Sequence, residues 1–419
     1  MGISIIGMLD EREEALRLLK NRIEARGHKT ILMDISIGTG AIDASLKADI
    51  TCDELALAGN STIEEIRALL AKERNKAISA MAEGLRNKLL GINNNGELQG
   101  VVAVAGLTGS LISLPSMRSL PFGIPKLLIS TAAAVPKNAK EFSGFFGMRD
   151  ITVMHTVVDT VGMNSFIQTL MINGAGVICG MVEEFTPTQD EGKPSIAITE
   201  FGLCDMGAHY IRNLLEDKYS IISFHATGIG DKAALDFVSQ GLFEAFIDLV
   251  PAGFSEYLLG GNRATGMDRL DAGCKSGKPY ILSTCGFDLI DCGPIQRRDQ
   301  GDLLWKSRRL AERKYIVMDA IRVQARTSSE ETKMIAREMA GKLNGHWNKK
   351  LVKVVIPMKG FSSPSAKGMP LYDPDSDLAF VEELEKCLDN KIEIVKVDNH
   401  INTQEFAEAT VDALNRALL

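Results

Sequence analysis

The sequence predicts an α/β protein of two domains, each a parallel sheet flanked by helices. Three observations carry that prediction. The chain has 419 residues, more than the roughly 250–300 at which a single core gives way to two. Short β-branched runs alternate with helix-period segments from one end to the other. The rhythm breaks once, at EEFTPTQDEGKPS (183–195), which is polar, holds two prolines and a glycine, and has no periodic apolar face. The expected domains are 1–183 and 196–419, joined by a linker over 184–195.

In chain order, ISIIGM (3–8) reads as the opening strand. EREEALRLLKNRIEARGH follows as a helix, with acids at its start, arginine near its end and a glycine stop. TILMDIS (30–36) is the second strand, and 61–89 is one long helix or two broken ones. VVAVA (101–105), KLLIS (126–130) and ITVMH (151–155) are almost continuously apolar, as strands covered on both faces must be. After the linker a second series runs through SIAITEFG, YSIISFHATG, EAFIDL, KPYILSTCG, KVVIPMKG and IEIVKVDNH. Each run ends in small or polar residues, where open α/β sheets bind ligands. TQEFAEATVDALNRALL closes the chain as a capped amphipathic helix.

Composition narrows the function. With 45% hydrophobic and 24% charged residues the chain resembles an ordinary globular protein. A net charge of −7 supplies no basic face for nucleic acid or an anionic membrane, so neither is expected as a partner. MGISIIGMLDEREE turns acidic too early for a signal peptide, and TLMINGAGVICGMV (169–182) is short and glycine-rich for a membrane span. Seven scattered cysteines without C-x-x-C fit a reducing, cytoplasmic setting rather than a disulfide framework. Six histidines show no ligand spacing, and no metal is expected.

Three stretches could carry chemistry. In AGLTGS, Gly106, Thr108, Gly109 and Ser110 open a helix whose free N–H groups could meet a phosphate. The lysine of a Walker loop and the third glycine of a dinucleotide loop are missing, so on spacing alone this is a strand-to-helix turn. In FHATGIGDKAAL, His225 and Thr227 end a strand, and Gly228 and Gly230 allow a ligand near the backbone. The plainer alternative makes Asp231 a helix cap and His225 a satisfied strand-end residue. In STCGFDLIDCGP, Thr284, Asp288 and Asp291 follow another strand, and the two carboxylates fit an acid/base pair as well as capped turns. Cys285 reads as a buried structural thiol. YDPDSD has Leu378 and Leu384 where a calcium loop needs glycine and glutamate, so it reads as a helix cap. The mixed-charge run 296–314 reads as a solvated face.

Taken in order, IIGMLDEREEAL, RSLPFGIPKLLIST, VVDTVGMNSF, FHATGIGDKA, LSTCGFDLIDCGP, ARTS, KGFS, YDPD and HINT resemble a two-domain family. That family is typified by the N-terminal ATP-binding domain of the tomato mosaic virus resistance protein. The resemblance implies two Rossmann-like domains, a homodimer or higher homo-oligomer, and ATP, with Mg²⁺, held by the first domain. Asp10, Asp159, Gly162 and Asn164 match family positions. The family loop GGSGGT is AGLTGS here, with Ala105 and Leu107 in place of smaller residues, and STVASG becomes STAAAV.

The resulting expectation is a small-molecule binder for a phosphate-bearing or carboxylate ligand in a cleft between the two domains. Asp10, Gly106, Thr108, Gly109, Ser110, Ser130, Thr131, Asp159 and Asn164 would line the first-domain side. Thr227, Gly228, Gly230 and Thr284 would face it from the second, with Arg326 and Lys359 as anion partners. In a diverged enzyme, His225 or His400 would shuttle the proton and Asp288 or Asp291 would be the carboxylate. The competing reading is a non-catalytic binding subunit acting through a protein partner, and the reaction class is left open by the residues.

Overall fold

A computed structural model describes residues 1–185 and 192–419, so half of the expected linker, 186–191, lies outside the described residues. The chain divides into two compact units, Met1–Gln189 and Asp190–Leu419.

The first unit is built on five parallel strands: β1 (Gly2–Gly7), β2 (Thr30–Asp34), β3 (Leu98–Ala105), β4 (Lys126–Ser130) and β5 (Thr152–His155). Their order is β2-β1-β3-β4-β5, so the winding reverses between β1 and β3. Both faces of β3 are covered, which is why VVAVA carries no alternation. Leu16, Leu19 and Ile23 of the helix Leu9–Ala25 join Met171 and Ile178 against Val102 and Val104 on one face. Met81, Leu85, Ile112 and Met117 cover Val101 and Ala103 on the other. The segment 61–89 is two helices, Ile63–Leu69 and Arg74–Asn94, the first closed at Thr62 by a capping box with Glu65.

The apolar stretch 169–182 belongs to a longer helix, Ser165–Glu183. Among the described residues it is the one helix long and apolar enough to cross a membrane by length and composition, and a third of its most apolar window is buried within the unit.

The second unit has six parallel strands: β6 (Ser195–Glu200), β7 (Ser220–His225), β8 (Ala245–Asp248), β9 (Tyr280–Leu282), β13 (Val352–Pro357) and β14 (Glu393–Val397), in the order β14-β13-β9-β8-β6-β7. Between β9 and β13 the chain forms a small antiparallel sheet, β10 (Leu289–Asp291), β11 (Tyr315–Val317) and β12 (Val323–Arg326), ordered β10-β12-β11. Strands of three or four residues leave no readable period, so this sheet was not expected from the sequence. It also recruits part of the expected solvated run: Trp305 is 3% exposed, and Arg313 pairs with buried Glu331. The two α/β units with parallel sheets and helical layers are the expected fold class.

Candidate functional site

All strands of the first sheet end on one rim, and the reversal between β1 and β3 opens a crevice there. Asp34, at the end of β2, builds the rim's left side. Its Oδ1 accepts from Leu9 N at 3.2 Å and Ser36 N at 3.0 Å, and burial raises its pKa. Asp10 follows β1. Its Oδ2 accepts from Gly40 N at 3.0 Å, while its buried Oδ1 has no partner. A Cβ at Gly40 would stand 1.9 Å from the carbonyl oxygen of Asp10, so only glycine fits against this turn.

Gly106 follows β3 and is the N-cap of the helix Leu107–Arg118, with extended backbone and no side-chain cap. The first intrahelical bond inside this turn runs from Ser110 N to Gly106 O, at 3.0 Å, so the N–H groups of Leu107, Thr108 and Gly109 have no intrahelical acceptor. Beside them lies Arg12, 5% exposed and absent from the sequence-level expectation. A Cβ at Gly106 would meet Arg12 Nη2 at 2.6 Å, so the glycine makes room for the guanidinium. Arg12 Nε donates to Thr160 Oγ1 at 2.8 Å and Nη2 to Asp159 Oδ1 at 3.3 Å, and Nη1 is paired with Glu11. Arg74, exposed at the start of its helix, donates from Nη2 to Thr108 Oγ1 at 3.0 Å. Leu107 is half exposed and leaves the core.

Thus Asp10, Gly106, Thr108, Gly109 and Asp159 lie at one rim, and two arginines join them. Three other expected ligand residues have different work. Ser110 and Ser130 are fully buried and bonded to each other at 2.9 Å, and Ser130 Oγ accepts from the amides of Ala132 and Ala133. They brace the two loops from inside. Asn164 caps the helix Ser165–Glu183, its Oδ1 accepting from Phe166 N and Ile167 N. Thr131 sits beside the loop, its N donating to Ala105 O at 3.4 Å.

The second unit scatters the expected catalytic set. His225 ends edge strand β7, while His400 follows β14 at the opposite edge. Five strand spacings of about 4.8 Å separate those edges, roughly 24 Å, so the two histidines cannot share a proton path. His225 Nδ1 lies 3.3 Å from Thr227 Oγ1, both exposed. The glycines beside them serve the turn: Gly228 has φ +96°, and a Cβ at Gly230 would fall 1.8 Å from His225 O. Gly228 is the N-cap of the helix Ile229–Ser239, and Asp231, at its third position rather than at the cap, accepts from Gly228 N at 2.7 Å.

Asp288 and Asp291 are each held by their own hydrogen bonds. Asp288 is fully buried, accepts from Gly286 N at 3.1 Å and from Ser362 Oγ, and Asp291 is held by Asn262 Nδ2 at 2.9 Å and Gly293 N at 3.2 Å. Arg326, expected to bind an anion, is 3% exposed and donates to Asp288 O, Asp373 O and Asp377. His400 Nε2 stands 3.3 Å from Ser362 O, and burial lowers its pKa. Asp288, Arg326, Ser362 and His400 therefore form a brace that ties the loops after β9, β13 and β14 to the end of β12. Thr284 is buried with an unpartnered hydroxyl, Cys285 is a buried thiol whose pKa burial raises, and Lys359 pairs with Asp398 at 2.9 Å on the surface.

Comparison with known proteins identifies the family. The model of the "Uncharacterised protein family (UPF0261) N-terminal domain" matches residues 1–187 and that of its C-terminal domain matches 193–418. The chain belongs to the UPF0261 family. A UPF0261 protein of Clostridium tetani (strain Massachusetts / E88) is 30% identical over 414 residues, covering 98% of each chain. The ToMV resistance protein Tm-1(GCR237) of Solanum lycopersicum is 27% identical over 426 residues, covering 97% of this chain and 54% of the tomato protein. Among solved structures, a UDP-N-acetylglucosamine 2-epimerase from Rickettsia bellii aligns at 11% identity and a TM-score of 0.24 over 67% of this chain and 78% of its own.

Two further clusters of this UPF0261 chain were not legible in its sequence. Arg269 is fully buried and donates to Asp231 at 2.8 Å, to both oxygens of Asp248 at 2.8 and 2.9 Å, and to Val250 O at 3.1 Å. Tyr280 and Thr199 hydroxyls complete the shell of Asp248. In the first unit, His28, Cys179 and Glu183 bring donor atoms within 4.8 Å of one another. There Arg26 Nη2 already donates to both oxygens of Glu183, at 3.1 and 2.9 Å, and His28 Nε2 lies 3.0 Å from the same carboxylate, so Glu183 is the centre of an ion-pair clasp.

Proposed function

We propose that the first unit binds a phosphate-bearing small molecule at the Gly106 turn. The carrying observation is the buried Arg12 guanidinium packed against the glycine that opens the helix Leu107–Arg118. Uncapped N–H groups and the helix dipole favour an anion at this end, and Arg74 extends the donor set to the surface. Guanidinium groups suit phosphate because their forked donors match its oxygens. ATP, implied by the family resemblance, is the first natural ligand to test. Asp10, with one carboxylate oxygen unpartnered, is the residue that would meet its Mg²⁺. The reading is one of binding: no described carboxylate and histidine of the expected catalytic set stand together at this rim.

Calorimetric titration of the full chain with pyrophosphate tests the reading. Wild type should bind, and Arg12→Gln should lose about tenfold or more in affinity, the scale of a charge-assisted bond at ~1.5–3 kcal/mol. Arg74→Gln, at an exposed position that leaves the core untouched, should lose about two- to fivefold. Equal affinity in all three proteins refutes the assignment. No binding of pyrophosphate or ATP by wild type would favour the interaction-protein alternative.

A further inference from the structure

The Arg12 guanidinium carries two carboxylates, Glu11 on Nη1 and Asp159 on Nη2. One positive charge facing two negative ones has no net attraction left for an incoming anion. The nitrogen facing Gly106 is the one that Asp159 occupies. Of the two carboxylates, Glu11 is the one tied to another element: it is 21% exposed and accepts from Thr39 Oγ1 at 2.7 Å, whereas the other bond of Asp159 is to the adjacent amide, Thr160 N, at 2.7 Å. Asp159 is 66% exposed, and its contact with Arg12 is long at 3.3 Å.

The segment that carries Asp159 includes strained and exposed positions. Val157 is a β-branched residue held at φ +64° and is 82% exposed, an arrangement that costs backbone energy in place. Val161 is half exposed, and Gly162 sits at φ +74° with open space where a side chain would be. Thr160 between them is fully buried and keeps Arg12 Nε at 2.8 Å, so the guanidinium stays oriented when its neighbour leaves.

Building on the proposed site, we infer that Asp159 is an internal competitor for the ligand's anionic group, and that only a group with two or more charges displaces it. A monocarboxylate would exchange one single charge for another and gain nothing at Arg12. A phosphate chain brings more charge than it removes, and its entry releases residues 157–159 from the rim while Thr160 stays on Arg12. Asp159 thereby sets the ligand class: phosphate chains over carboxylates.

Asp159→Asn tests this without disturbing the turn, because the amide oxygen still accepts from Thr160 N, a bond of 2.7 Å. Full-length wild type, Asp159→Asn and Arg12→Gln are titrated with pyrophosphate and with acetate, and amide hydrogen exchange is followed over 157–159. Asp159→Asn should bind pyrophosphate about two- to fivefold more tightly, the scale of an exposed ion pair. Exchange over 157–159 should quicken when wild type takes up pyrophosphate, and acetate should not bind wild type. Weaker pyrophosphate binding by Asp159→Asn, added protection of 157–159, or equal binding of acetate each overturns the inference. Pyrophosphate binding indifferent to Arg12→Gln overturns instead the underlying site.

Discussion

Replacing Arg269 with leucine should unfold the second unit at a much lower temperature. The side chain is wholly buried, and its loss strands Asp231 and Asp248, themselves buried, without their cation. Burial already pushes the Asp231 pKa up while Arg269 opposes it. For Arg269 itself burial opposes the charge, yet Asp248 and Asp231 raise its pKa. Removing one partner of such a buried pair costs about 3–5 kcal/mol. A domain of this size loses about 2–4 °C per kcal/mol, so the transition should fall by about 6–20 °C. Differential scanning calorimetry reads it directly, with the first unit's transition as an internal reference. Arg269→Lys should fall between the two, because a lysine cannot reproduce four directed bonds to two carboxylates and Val250 O. Arg269→Met combined with Asp231→Asn and Asp248→Asn should recover part of the loss, since no buried charge then stands alone. A shift under about 3 °C for Arg269→Leu would refute the reasoning, which rests on the charges being stranded.

Gly230→Ala should cost about 1–3 kcal/mol in chemical denaturation, because its Cβ would enter the space of His225 O, and should leave pyrophosphate affinity unchanged. Ser362→Ala should cost about 1.5–3 kcal/mol by the same measurement, since it removes the hydroxyl that serves buried Asp288. Asp377 gives a pH test. Burial raises its pKa from the ordinary 3.8 to about 7, with Arg326 opposing. Its contribution to stability is therefore complete below about pH 4 and lost as pH rises through 7. Stability of wild type minus that of Asp377→Asn should decline from pH 5 to pH 8, and a flat or rising difference would remove Asp377 from the balance.

Much of the fold was legible because its strands are buried on both faces and announce themselves as apolar runs. KLLIS is β4 residue for residue, and YDPD supplies Asp373 as the N-cap of the helix Pro374–Cys387. The rim of the first unit was legible through its glycines and hydroxyls. Arg12 was not, since it sits in DEREE, where an arginine among acids reads as an ordinary amphipathic surface. What reveals it is the hole that Gly106 leaves for its guanidinium, a fact of tertiary packing. In the second unit the G-x-G of HATGIGD looked like a ligand loop, but Gly230 is small to clear a backbone carbonyl. Asp288, Arg326 and His400 were singled out as ligand-facing chemistry, yet a polar residue at a strand end can equally turn inward and brace its neighbours. The sequence spacing of those residues is the same in both cases.

The most direct test of the central claim is a crystal structure of the full chain grown with pyrophosphate. The account predicts the anion on the amides of Leu107, Thr108 and Gly109, contacted by Arg12 and Arg74, with Asp159 turned out of the rim. Pyrophosphate bound at the Gly228–Gly230 turn instead, or a Gly106 turn left empty while Asp159 keeps Arg12, would contradict it.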